Sequence, residues 1–184
     1  PFCYANIALI APTAGGKTTT IFNMLKKCAG KKTKIVAFVS TLLNDDTWIN
    51  IKKYFKDHKI DFVGHNSIFE DGKNILGDYI DKFRIKAKER EKKESQKFDI
   101  ITVEESLNNL MCFDNEKEEV KDKFQCPEYI FVFDDLSNEL HSTEYQTFLK
   151  SARHWRVMTI TASQDLYDLR GSSVRNQIRL WILF

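Results

Sequence analysis

"IALIAPTAGGKTTTIFNML", residues 7–25, sets an apolar run of strand length against a Gly-Gly-Lys-Thr turn and then a segment that carries Ile21, Leu25 and Cys28 on one helical face. Between run and helix stand Ala11, Pro12, Thr13, Ala14, Gly15, Gly16, Lys17 and Thr18, the register GxxxxGK[ST] with alanine at the leading glycine. Such a loop turns so that successive backbone N–H groups face an anion, and Gly15 and Gly16 are expected to supply the unusual dihedrals and the close approach. A helix that opens at Lys17 adds free N–H groups and the positive end of its dipole. Pro12, Thr13, Ala14, Gly15, Gly16, Lys17, Thr18 and Thr19 are thus the expected phosphate contacts. Lys17 brings a mobile point charge, and the Thr18 hydroxyl can ligate Mg²⁺.

Working outward, apolar runs at 7–11, 35–39, 129–133, 157–161 and 178–184 alternate with helical patterns at 17–28, 46–58, 75–97, 104–111 and 142–152. The runs are continuously apolar, as for strands covered by helices on both faces, so the pattern predicts an α/β fold with a mostly parallel central sheet. "FDIIT" from Phe98 and "IDFVG" from Ile60 are weaker strand signals. With 184 residues, 42% of them apolar, one domain is expected over 1–184. A start at Pro1 and an apolar end, "LWILF", suggest that flanking segments exist.

Lys+Arg 28 against Asp+Glu 26 leaves +2, so contact with a polyanion would need basic residues gathered on one face. Residues 81–97 are the most charged piece, with 84–97 read as a solvated charged helix or a nucleic-acid-facing or partner-facing arm, and 114–123 as a polar surface insertion. The four cysteines show no CxxC spacing, which argues against a zinc site and a disulfide-stapled secreted domain. No apolar run approaches the ~20 residues that span a bilayer.

A phosphate loop needs a second element to place the metal, and "YIFVFDDLSNE" supplies one at the carboxyl edge of a buried strand. Two adjacent carboxylates are costly there unless a cation offsets their repulsion. Asp134 is assigned to the Mg²⁺ shell and Asp135 to polarising an attacking water, which favours hydrolysis over phosphoryl transfer to another acceptor. The strand at 157–161 runs on to Gln164 at the same edge, where an amide can donate to phosphate and accept from water at once. Arg153 is the first choice, and Arg175 the second, for an arginine that meets transition-state charge on a neighbouring subunit. Trp48, Trp155 and Trp181 read as core or interface aromatics. The four histidines read as polar surface or edge residues, and Asp45 or Asp46 as a helix N-cap that could reach the site edge.

With those elements in place, "IALIAPTAGGKTTTIFNML", "IVAFVSTLLNDDTW", "YIFVFDDLSNEL", "SARHWRVMTITASQ" and "VRNQIRLWILF" resemble the genome-packaging ATPases of the poxvirus and virophage type, in the FtsK/HerA group of P-loop motors. The likeness spans nearly the whole chain. It implies a three-layer RecA-like core of the ASCE type, ATP and Mg²⁺ as ligands, and a homo-oligomeric ring, pentamer or hexamer, that moves double-stranded DNA into a capsid. By the same resemblance Lys17 and Thr18 match the phosphate-loop pair, Asp134 the magnesium aspartate, Asp135 the catalytic acid and Gln164 the sensor. Capsid proteins at a packaging vertex, no membrane, and a location in the virion or the virus factory of the host cytoplasm complete what it implies. Residues 82–97, or "RGSSVRNQIR" from Arg170, would line the DNA channel. A cellular or plasmid DNA translocase or helicase of the same superfamily, and a nucleotide-binding interaction module with little turnover, stand as alternatives.

Overall fold

The computed structural model describes residues 4–98, 126–169 and 171–184. The chain divides into two compact units, one of Pro1–Ile80 with Gln125–Phe184 and one of Asp81–Phe124. In the first, β1 (Asn6–Ile10) leads into α1 (Lys17–Cys28), β2 (Lys34–Val39) into α2 (Asp46–Asp57), and β3 (Asp61–His65) into a small hairpin of β4 (Phe69–Glu70) and β5 (Lys73–Asn74). Helix α3 spans Ile75–Phe98, and its residues from Asp81 onward belong to the second unit. Strand β6 (Tyr129–Asp134), a 3-10 turn at Glu139–His141, α4 (Thr143–Ser151), β7 (Val157–Ser163), a 3-10 turn at Leu166–Leu169, α5 (Ser172–Arg175) and β8 (Leu180–Leu183) complete it.

Six strands form one parallel sheet in the order β3-β2-β6-β7-β1-β8. Strand β7 lies between the strand that enters the phosphate loop and the strand that ends in the acid pair. The residue pattern predicts such a parallel α/β sheet, and its strand order is the three-layer RecA-like P-loop arrangement of the ASCE type that the resemblance implies. Alternate residues serve the two faces. Ile7, Leu9, Ile35, Ala37, Ile130, Val132 and Ile160 pack with Ile21 and Leu25 of α1 and Ile51 and Phe55 of α2. On the opposite face Phe131 meets Phe148 of α4 at 4.6 Å between ring centroids, and Phe133 meets Tyr145 at 5.0 Å, edge-on. Each such ring pair adds roughly 0.5–1.5 kcal/mol beyond its burial.

Every strand predicted from an apolar run is present where described, with shifted ends: β6 extends through Asp134, β7 through Ser163, and β8 begins only at Leu180. "IDFVG" forms a full parallel strand at the sheet edge, where one-sided cover leaves Asp61 and Val63 exposed and dilutes the apolar signal. "FDIIT" beyond Phe98, the helix at 104–111 and the insertion at 114–123 lie outside the described residues. The β4–β5 hairpin escapes the apolar-run reading because its strands have two residues each. Its turn was nevertheless written in the chain as Asp71-Gly72, both at positive φ (49° and 73°), the pairing a two-residue type I′ turn requires.

Register brings the functional ends together. Asp134 lies opposite Val39 and Ala162, and Ile10 opposite Ser163. The chain therefore leaves β1, β2, β6 and β7 at one carboxyl edge, with Ala11, Ser40, Asp135 and Gln164 as the first residues past it.

Candidate functional site

The loop after β1 is held by Gly15 N–H donating to the Pro12 carbonyl at 3.0 Å and by left-handed backbone at Ala14 (φ 61°) and Gly16 (φ 81°). Gly15 differs from the expectation, since it has no positive φ. A Cβ there would stand 2.9 Å from the Ala11 methyl and 2.9 Å from the Pro12 oxygen, so its glycine answers to space alone. Gly16 caps α1 with no side-chain hydrogen bond, leaving the first-turn N–H groups for an anion. Lys17 is 9% exposed, and its ammonium donates to the carbonyls of Ala11 (2.7 Å) and Pro12 (3.2 Å), folded across the loop it would serve.

A cleft of about 360 Å³ opens above this loop. Thr13 through Thr19 line it from one side and Asp134, Asp135 and Gln164 from the other, while Pro12 contributes its carbonyl to Lys17 instead. The sheet edge thus brings together the predicted phosphate, metal and hydrolytic residues. Among the described residues no cluster of three His, Cys, Asp or Glu side chains could hold a metal by itself. The donor set, one hydroxyl and one buried carboxylate beside a phosphate-sized cradle, suits Mg²⁺ shared with phosphate oxygens and water.

Asp134 ends β6 at 5% exposure. Burial pushes its carboxyl up to about 6; a hydrogen bond from Trp48 opposes the rise, Asp135 adds to it, Lys17 opposes it and Asp45 adds again. Asp135 follows at φ 57°, a left-handed conformation that aspartate tolerates better than most residues, and this turn takes its side chain off the strand's alternation. The Gln164 amide N–H donates to Asp135 Oδ1 at 3.0 Å, and the Thr13 hydroxyl donates to Gln164 Oε1 at 3.0 Å. Loop, amide and acid form one hydrogen-bonded chain across the mouth of the cleft.

The arginines stand elsewhere. Arg153 precedes β7 and lines a separate polar cleft of about 180 Å³ with Lys150, His154 and Arg179, at the amino-terminal edge of the sheet. The seven residues of β7 put roughly 20 Å between that edge and Gln164. Arg175, on α5, is exposed, donates from Nε to the Leu169 carbonyl at 3.3 Å, and does not line the cleft above the glycine-rich loop.

Asp45 proves to be the N-cap of α2, accepting from Thr47 N–H at 2.7 Å, and it lines the cleft together with Thr41 and Thr47. Trp48 is a core residue, as expected, yet its indole reaches the site, a role that the sequence signalled only through the position of "DDTW" just past β2. Of the histidines, His65 departs from a plain edge residue. It stacks on Phe38 with 5.2 Å between centroids and pairs with Glu70.

No family model and no curated protein matches the chain. Among solved structures it is similar to the cytoplasmic domain of EssC, with a TM-score of 0.58 and 14% identity over 98% of this chain and 32% of that one. The chain thus spans about a third of the length of that structure. The likeness carries the fold alone, a P-loop-type α/β domain with a parallel central sheet.

Proposed function

We propose that this chain is a Mg²⁺-dependent ATP hydrolase that works in a homo-oligomeric ring and drives the movement of double-stranded DNA. The observation that supports hydrolysis is the Thr13–Gln164–Asp135 chain, which ties a hydroxyl of the glycine-rich loop to a carboxylate at the sheet edge through one amide. In this reading Lys17 exchanges its loop carbonyls for phosphate oxygens, and the first-turn amides of α1 hold the same anion. Asp135 accepts the proton of the attacking water, and Gln164 orients that water. Thr18 and Asp134 are the side chains to hold Mg²⁺, which when bound would neutralise charge on the phosphate oxygens.

The ring draws support from the distance between the two edges of the sheet. Arg153 stands too far from its own cleft to meet transition-state charge there, and among the described residues no acidic side chain lines the basic cleft that holds it. A neighbouring subunit's nucleotide would supply the missing anion. DNA, and the task of packaging a viral genome, rest on the resemblance of the sequence motifs.

Nucleotide binding and Mg²⁺-dependent hydrolysis, with and without double-stranded DNA, test the reading. Lys17→Ala should abolish binding or turnover. Asp135→Asn should retain ATP and hydrolyse it at least about a hundredfold more slowly, as expected when a proton acceptor is lost. Normal turnover in either variant removes the corresponding role, and negligible turnover of the unmodified protein under all conditions leaves an ATP-dependent interaction module in its place.

A further inference from the structure

Trp48 occupies the first turn of α2 with no exposed surface. An indole so enclosed needs an acceptor for its N–H, since an unpaired buried donor carries the full cost of desolvation. The acceptor is Oδ2 of Asp134 at 3.1 Å, contributed by the last residue of β6 and itself almost fully buried. The two side chains come from elements 86 positions apart in sequence; Trp48 belongs to the apolar core on the α1–α2 face of the sheet, and Asp134 is buried beside it. A carboxylate can rotate about its terminal torsion, and a buried hydrogen bond from a rigid ring to Oδ2 opposes that rotation. Oδ1 is then the oxygen left for the cleft.

We propose that Trp48 is a positioning residue for the divalent cation: its indole N–H holds Asp134 so that a single fixed oxygen is presented, and this buried bond sets cation affinity. The proposal rests on the reading of Asp134 as a Mg²⁺ side chain. Outer partners of this kind change metal affinity by about 10- to 100-fold when removed. Because the same helical turn carries the cap Asp45 and the cleft residue Thr47, the bond also ties the start of α2 to the occupancy of the site.

Trp48→Phe keeps most of the ring volume and deletes the donor. In the full chain at saturating ATP, the Mg²⁺ concentration for half-maximal hydrolysis should rise about tenfold or more, while ATP affinity measured in EDTA stays unchanged. A folded Trp48→Phe protein with unaltered Mg²⁺ dependence overturns the proposal. A second measurement leaves Trp48 in place. Its indole N–H resonance, assigned by its loss in Trp48→Phe or, if that variant does not fold, by selective labelling, should move in Asp134→Ala without any ligand present. In the unmodified protein it should respond to Mg²⁺ with a non-hydrolysable ATP analogue. An indole resonance indifferent to Asp134→Ala also overturns the proposal. If the unmodified protein binds no Mg²⁺-nucleotide, the hydrolase reading falls and the cation role with it, yet a resonance that still moves in Asp134→Ala retains the hydrogen bond itself, so the two failures are told apart.

Discussion

Ala11 and Gly15 face each other across the loop, and the alanine that departs from the usual pattern is tolerated because its partner has no side chain. Gly15→Ala should therefore cost about 1–3 kcal/mol by overpacking and weaken ATP binding, read by thermal unfolding and by titration. Adding Ala11→Gly removes one of the two 2.9 Å collisions and should recover part of the loss, since the Pro12 carbonyl remains in the way. Asp134 makes a prediction of a different kind. Its folded carboxyl stands near 6, above the value of 3.8 for a free side chain, so between those values the folded chain holds more protons than the unfolded one. Stability from this group is complete below about 4 and is lost as pH rises through about 6. In the metal-free protein Asp134→Asn, which can still accept from Trp48, should be more stable than the unmodified chain at pH 8, by on the order of 2–3 kcal/mol. That advantage should vanish as pH falls toward 4, and Mg²⁺ with nucleotide should stabilise the unmodified protein more than the variant, which keeps the phosphate loop and lacks the metal carboxylate. A constant difference in melting temperature from pH 4 to 8 would contradict the assignment.

At the scale of elements, the segment that follows the acid pair also supports its neighbours. The carboxylate of Glu139, in the 3-10 turn after β6, accepts from the N–H of Ile68, which sits at the entry to the β4–β5 hairpin. Glu139→Ala leaves that partly buried N–H unpaired and should loosen the hairpin. The expected result is faster proteolytic cleavage within residues 66–74 and a loss of about 1–3 kcal/mol, with nucleotide affinity retained. An unchanged cleavage pattern would show that the hairpin stands without this tether. Capping follows the sequence closely by contrast: Ser142 accepts from Tyr145 N–H at the start of α4 and Asp45 from Thr47 N–H at the start of α2. These are local bonds between residues two or three apart, which is why they could be read from order alone.

For the whole molecule, the two edges of the sheet separate the glycine-rich loop and its cleft from Arg153. If Arg153 acts on a neighbour, Arg153→Ala and Asp135→Asn should each be inactive alone. Mixed and co-assembled, they should regain a measurable share of hydrolysis, because some interfaces then pair an intact arginine with an intact acid. No recovery in a verified mixed assembly would place Arg153 outside the reaction, and a single-copy protein that hydrolyses ATP at full rate would remove the ring from the mechanism.

By itself the order of residues determined the α/β fold and the placing of a glycine-rich loop, an acid pair and Gln164 at strand ends, because each depends on a short-range signal: an apolar run, a glycine turn, a polar residue at a strand's end. Parallel pairing then delivers such ends to one edge whatever the intervening chain. Tertiary structure alone decided that Gly15 is needed for space, that Gln164 bridges Thr13 to Asp135, that Arg153 stands at the far edge, and that Trp48 reaches Asp134. Each of these is a contact between side chains or atoms whose approach is set by register and packing, and no spacing along the chain records it.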